Sequence, residues 1–494
     1  MDNVLENLNS RAPLDGAAAL DCLPRVRALH ASDKPHAWVV VDGEPMADSV
    51  PDEVSRAVEL LRKHASDSIV SAPALTTEGQ WVVLVSPDAD TRTGHPAFLR
   101  AHTAAGRQMR SQSIRNVVIG TQSLPDTLVM DQAQGLRLGW YRDPSRSSPQ
   151  PPEILIASTD GYPTEHMVKA EVFSQATCLT RYWTEQPPNK LTPAALAQIA
   201  KQLGQTVGLD VEVLGVQEMR DMGMGGVLAV GEGSTNSPRL VILRHRSDEA
   251  PAYGVVGKGI TFDSGGISLK PPKNMRKLKG DKAGASAVLA ASLAAAQMRL
   301  PTPFIAVLPF AENLPSKTAY RPGDVITMLN GTTVDVVSTD AEGRMLLADG
   351  MALACRRGCP RIISIATLTR ASMVALGNFR AALYSSDDGF ANDMVRASER
   401  VGEFVWRMPL DEDYNHMLKS PVADVLNSGQ TGTGGSIIAA KFLQRFTQDI
   451  PWAHLDMSPI FFLDQEMPWG DKGYTGAGAR LLLSLLEGSN SDSD

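Results

Sequence analysis

The sequence is poor in cysteine, in histidine and in runs of like charge, and each shortage closes off a class of protein. Four cysteines in 494 residues, Cys22, Cys178, Cys355 and Cys359, are too few and too scattered for a disulfide framework, so a reducing, cytoplasmic setting is expected. Of the nine histidines only His245, His416 and His454 lie beyond residue 170, and none falls in an HExxH pattern, so a histidine-built zinc centre is not expected there. Lysine and arginine total 47 against 55 acids, for a net charge of −8 with no basic run, and a nucleic-acid partner is therefore not expected. No apolar stretch approaches the roughly 20 residues needed to cross a bilayer, so no membrane span is expected. The N-terminal segment up to Pro24 holds Asp2, Glu6, Asp15 and Asp21 against the single cation Arg11, unlike a secretory or transit leader.

What remains is an ordinary globular composition, 43% hydrophobic and 21% charged, in a chain long enough for two or three domains. Short β-rich runs such as Ala37 to Val41 and Trp81 to Val85 alternate with amphipathic stretches such as Asp52 to Ala65 and Pro96 to Ser111. Such alternation predicts an α/β fold with a largely parallel sheet. A Pro/Ser-rich stretch, 142–152, reads as an exposed connection, and residues 165–185 as a helix stopped by Pro187 and Pro188. The expected organisation is a smaller N-terminal α/β domain over 1–165, a connecting helix over 166–190, and a larger C-terminal domain over 191–494. That larger domain is expected to hold a mixed, largely parallel central sheet flanked by helices.

Three glycine clusters need separating from nucleotide chemistry. Gly254 to Gly259 lacks the spacing and the Ser/Thr of a phosphate loop, while Gly223 to Leu228 and Gly432 to Ile437 each miss the third glycine of a dinucleotide fingerprint. All three read as turns or close backbone approaches.

The chemistry concentrates between Lys258 and Arg370. Lys258, Asp263, Lys270, Asp281, Asp340, Glu342 and Arg344 lie at or beside predicted strand ends, where open α/β sheets bind ligands. Singly, each has a structural reading: Asp281 as a helix N-cap, Glu342 as a first-turn carboxylate, Asp263 as a turn former, Lys270 and Arg344 as solvated charges. Together, four carboxylates interleaved with glycine carry a charge of −4 that two divalent cations would neutralise.

These residues resemble the leucyl aminopeptidase family of dinuclear-metal exopeptidases. The resemblance rests on Gly257 to Lys270, Asp281, Asn330-Gly331, Thr339 to Arg344 and Ala366 to Thr369. It continues in Pro188 to Pro193, Met222 to Gly225, Arg321 to Asp324 and Trp452 to Asp456, and so spans roughly 170–490. The resemblance implies release of leucine-like, apolar N-terminal residues from peptides by water activated at two metals. Asp263 and Glu342 would bridge both ions, Asp340 complete the looser site, and Lys258 and Asp281 the tighter one. Lys270 would hold the developing oxyanion, and Arg344 a bicarbonate or carbonate ion. Zinc or manganese would be the expected ions, with magnesium or cobalt as alternatives, in a cytoplasmic homohexamer. The contrary reading is a silenced or moonlighting hexameric scaffold, DNA-binding in one version. It draws on two departures from the family pattern, Lys282 after Asp281 and Arg370 where glycine is usual; a third, Ser338 in place of asparagine, is a smaller change.

Overall fold

The computed structural model describes residues 25–28, 37–41, 51–64, 74–75, 81–85, 95–114, 117–120, 125–143, 153–157, 164–429, 432–467 and 470–488. The acidic N-terminal segment up to Pro24, positions 144–152 of the Pro/Ser-rich stretch and the tail from 489 lie outside them.

The N-terminal region carries a six-stranded sheet in the order Arg25–Ala28, Glu153–Ala157, Val117–Gly120, Ala37–Val41, Trp81–Val85, Ala74–Leu75. All neighbours are parallel except the short edge strand Ala74–Leu75. Helices Asp52–His64, His95–Ser111 and Asp126–Trp140 cover it. The last two approach unusually closely, because Gly106 and Gly139 face the partner's backbone: a Cβ on Gly139 would lie 2.0 Å from the Thr103 carbonyl oxygen.

Helix Thr164–Glu185 packs on both helix Asp126–Trp140 and helix Ala283–Met298, joining the two halves through a shared apolar core that includes Leu138, Phe173 and Trp183. Helix Ala283–Met298 is apolar on every side and buried from Ala283 to Ala296, as a helix enclosed between a sheet and further helices must be.

The C-terminal region holds a nine-stranded mixed sheet. Its path runs Val405–Arg407, Ala381–Ser385, Trp452–Asp456, Ile362–Ala366, Tyr253–Gly257, Phe304–Asn313, Arg239–His245, Asp210–Leu214, with Gly259–Asp263 pairing off this path to Phe304–Asn313. The four central strands are parallel, and antiparallel pairs lie toward the two edges. The central strands are buried on both faces and read as continuous apolar runs, the pattern of a sheet covered on both sides. The expected mixed, largely parallel α/β fold is thus the one observed. No helix among the described residues is long and apolar enough to cross a membrane.

One element differs from expectation. The run Val255 to Phe262 predicts a single strand, but the ladder breaks at Lys258 into Tyr253–Gly257 and Gly259–Asp263. There the Lys258 N–H still donates to the Ile365 carbonyl of the neighbouring strand (2.9 Å), while the Lys258 carbonyl turns to helix Ala283–Met298 and accepts from Ala285 N–H (2.8 Å). The glycines on either side permit this, since a Cβ on Gly257 would meet Ala285 Cα at 2.6 Å and one on Gly259 would meet Pro309 O at 2.5 Å.

Candidate metal centre

Six of the seven singled-out residues form one cluster at the carboxyl ends of the central strands. Lys258, aimed by the strand break, places Nζ 2.8 Å from Asp281 Oδ2 and 2.9 Å from Glu342 Oε1. It also donates to the Thr367 carbonyl at 2.9 Å. Gly343 leaves the room for this: a Cβ there would lie 2.4 Å from Lys258 Cε.

Asp263 ends its strand with Oδ1 accepting from Gly265 N–H and Asn313 Nδ2, both at 2.9 Å, and Oδ2 2.9 Å from Lys270 Nζ. It is therefore both the turn former of its loop and a member of the cluster. Lys270 also pairs with Asp340. Asp281 does not cap the following helix, whose N-cap is Lys282. Its Oδ1 instead accepts from the Thr367 hydroxyl at 2.7 Å. Glu342 opens helix Glu342–Arg356, where its negative charge suits the helix dipole.

Oxygens of Asp263, Asp340 and Glu342 all lie within 4.8 Å of one another. Burial, then repulsion from Glu342, raises Asp263 above the ordinary carboxylate range and lifts Asp340 to about 6. Burial lifts Asp281 to about 8. Burial opposes charge on Glu342 too, but Lys258 and Lys270 outweigh it and hold this carboxyl below its usual value. Four carboxylates against two ammoniums leave an excess of negative charge, and Glu342 Oε2 is buried without a hydrogen-bond partner. Hard oxygen donors, a buried unpartnered carboxylate oxygen and surplus negative charge fit divalent cations.

Arg344 lies in the first turn of the same helix, buried rather than solvated. It donates from Nη1 to the Asn427 carbonyl at 2.8 Å, and its Nε is buried without a partner. Burial lowers it to about 10, against the pull of Glu342.

Several supporting residues escape a reading of the sequence. Asn313 bridges Asp263 to the Thr339 carbonyl (3.0 Å), which the Tyr320 hydroxyl also holds at 2.9 Å. Asn427 accepts from Val337 N–H at 2.8 Å and donates to the Ser338 carbonyl at 2.7 Å, fixing the approach to Asp340. Asp456 accepts from Leu368 N–H (3.1 Å) and the Thr369 hydroxyl (2.6 Å), fixing the loop that carries Thr367. Of these, Asn313 had a signal, a polar residue closing an apolar strand.

The departures from the family pattern are also placed. Lys282 is fully buried, and its ammonium turns away from the cluster to the carbonyls of Gln186 (3.0 Å) and Lys279. Arg370 is exposed at the first turn of helix Arg370–Leu376, which Thr369 caps by accepting from Ser372 N–H. Ser338 accepts from Asp340 N–H at 3.2 Å. His454 is buried between Trp452 and Tyr384, with Nδ1 2.8 Å from Ser364 Oγ.

Comparison with known proteins gives this arrangement a lineage. The family model described as the cytosol aminopeptidase family, catalytic domain, matches residues 178–483. A "probable cytosol aminopeptidase" of Roseiflexus castenholzii is 41% identical over 399 residues, covering 78% of this chain and 81% of that protein. One from Mycobacterium bovis is 37% identical over 499 residues, covering 96% and 95%. Among solved structures, the bottromycin maturation enzyme BotP in complex with Mn superposes with a TM-score of 0.81 at 33% identity, covering 92% of this chain and 99% of that one. A matched stretch that holds every residue of the cluster, and relatives that align along nearly the whole chain, make the protein a hydrolase of the cytosol aminopeptidase family.

Proposed function

We propose that the protein is a cytoplasmic, two-metal aminopeptidase that removes leucine-like, apolar residues from the N-termini of peptides. The observation that carries this reading is the interleaving of four carboxylates with two lysines at the carboxyl end of the sheet. Asp263, Asp340 and Glu342 would hold one divalent ion, and Asp263, Glu342, Asp281 and Lys258 a second. Manganese is supported by the ion named with BotP, and zinc fits the same donors. Bound there, two such ions supply an activated water and polarise the scissile carbonyl.

The chain's own residues divide the remaining work by exposure. Lys258 has 3% of its side chain exposed and faces only carboxylates and the Thr367 carbonyl, which suits a ligand. Lys270 has 22% exposed against 3% for Asp263, and it pairs with both Asp263 and the more exposed Asp340. From there its ammonium can meet the negative charge that grows on the carbonyl oxygen under attack. Arg344, with its unpartnered Nε, is suited to hold a small anion such as bicarbonate beside the reacting groups. Assembly as a homohexamer belongs to the same reading.

The test is hydrolysis of a leucyl chromogenic amide by the purified protein, after chelation and after adding back manganese, zinc, cobalt or magnesium. Activity lost on chelation, restored by a divalent ion and absent in Asp263→Ala supports the reading, with two ions counted per chain. A folded protein that binds two ions yet hydrolyses no aminoacyl amide would overturn it in favour of a silent scaffold.

A further inference from the structure

A cavity of about 1010 Å³ lies between helices His95–Ser111 and Asp126–Trp140 on one side and the 272–280, 460–466 and 470–477 segments on the other. None of the seven residues discussed above lines it. Its walls carry nine lysines and arginines against five acids, a local excess of positive charge in a chain whose net charge is −8. Most of those cations are engaged: Arg110 with Asp471 at 2.8 Å, Lys279 with Glu185 at 3.0 Å, Arg480 with Glu403 at 3.2 Å. Arg276 and Lys472 are not; both are exposed, and neither has a hydrogen-bond or ion-pair partner among the described residues.

The same wall presents aromatic faces. Phe462 and Tyr474 meet edge to face with centroids 5.0 Å apart, and the Lys277 ammonium stands 4.7 Å above the Phe462 ring. A solvent-open volume near the upper end of ordinary ligand pockets, aromatic rings in its wall and unneutralised cations together describe a site for a flat, multiply charged anion. We infer that this cavity binds a multiply anionic small molecule carrying an aromatic or heteroaromatic ring. The inference stands apart from the peptidase reading.

The position of the cavity gives such a ligand a route to the metal centre. The 272–280 segment that forms one wall runs directly from Lys270 to Asp281. From the cavity side the Tyr474 hydroxyl donates to the Lys277 carbonyl at 2.8 Å. The Tyr474 ring also abuts Gly280, where a Cβ would meet it at 2.1 Å. An occupant resting on Tyr474 and Lys277 thus touches the strap between the two lobes of the carboxylate cluster.

The test is a fluorescence titration of the full chain with a naphthalene trisulfonate, whose sulfonates coordinate divalent ions weakly and so favour the cavity over the metal centre. Saturable binding at one site per chain is expected, weakened at least about tenfold in R276Q/K472Q by the loss of two charge-assisted contacts. A charge-matched control on the exposed surface, K201Q/R220Q, is expected to bind within about twofold of the parent. Absence of saturable binding, or equal weakening by both pairs, would overturn the inference.

Discussion

Thr367 holds two members of the carboxylate cluster at once: its hydroxyl donates to Asp281 Oδ1 at 2.7 Å, and its backbone carbonyl accepts from Lys258 Nζ at 2.9 Å. Only the first contact depends on the side chain. Thr367→Val keeps the shape and the carbonyl but removes the bond to Oδ1, so that Asp281 is held through Oδ2 by Lys258 alone. Partners of this kind are worth roughly 10–100-fold in metal affinity. Calorimetric titration of the chelated protein with manganese should show that loss for one of two ions, and Thr367→Ser should restore it. Equal affinity in Thr367→Val would show that Lys258 and packing hold Asp281 without the hydroxyl.

Gly343 makes the complementary prediction, because it guards space rather than a hydrogen bond. An alanine methyl would fall 2.4 Å from Lys258 Cε and 2.6 Å from its Nζ. Helix Glu342–Arg356 has ordinary geometry at this residue, so Gly343→Ala should fold. Lys258, a flexible side chain, yields instead and leaves Asp281 and Glu342. Melting temperature should change little, while hydrolysis of a leucyl amide falls by about 100-fold, the cost of displacing a reacting group by an ångström. A fully active variant would remove Lys258 from the centre.

Much of this was legible in the sequence because one rule applied repeatedly: polar residues directly after apolar strands mark the ligand end of an α/β sheet. Asp263 and the Thr367 loop follow that rule. Asn313 follows it too, but Pro309 interrupts the apolar run Phe304 to Leu308, and the strand in fact continues through Glu312 to Asn313, beyond the end that the local pattern marks. The break at Lys258 was hidden because an apolar run on both sides of a lysine looks like one strand. Which way the backbone turns there depends on Ile365 and Ala285, both well beyond the reach of any local window. Asn427 and Asp456 likewise act on segments far from them in the chain, through contacts that no local pattern encodes. The cavity beside Tyr474 was invisible for the same reason, since its walls come from separate segments of the chain.

Lys282 tests whether a family departure touches the chemistry. Its ammonium lies against the carbonyls of Gln186 and Lys279 and is fully buried. Burial pushes this amine down to about 7, and replacing it by an apolar side chain removes the donor that the two carbonyls share, a cost of about 1–3 kcal/mol. Lys282→Met should therefore bind two metal ions per chain as the parent does but melt at a lower temperature. A gain in metal affinity would instead mean that the lysine charge had been weakening the centre.

The N-terminal helices should make the protein acid-labile through His102. This imidazole is fully buried, and its Nδ1–H donates to the Phe98 carbonyl at 2.8 Å. Nε2 is buried with no partner, so a proton arriving there would find no acceptor. Burial accordingly pushes His102 down to about 4 from an ordinary 6.5. Between those values the unfolded chain binds the proton and the folded chain refuses it, so stability falls as pH falls. The contribution is fully present above pH 6.5 and is lost progressively down to about 4, amounting to about 3 kcal/mol. His454, likewise pushed down to about 4 by burial, acts in the same direction. His102→Gln cannot take up a proton in either state, so its denaturation midpoint should decline less steeply between pH 7 and 5 than the parent's, whatever its stability at pH 7. Parallel declines in the two proteins would mean that the folded state admits the proton at His102 after all, through a local opening of the helix pair.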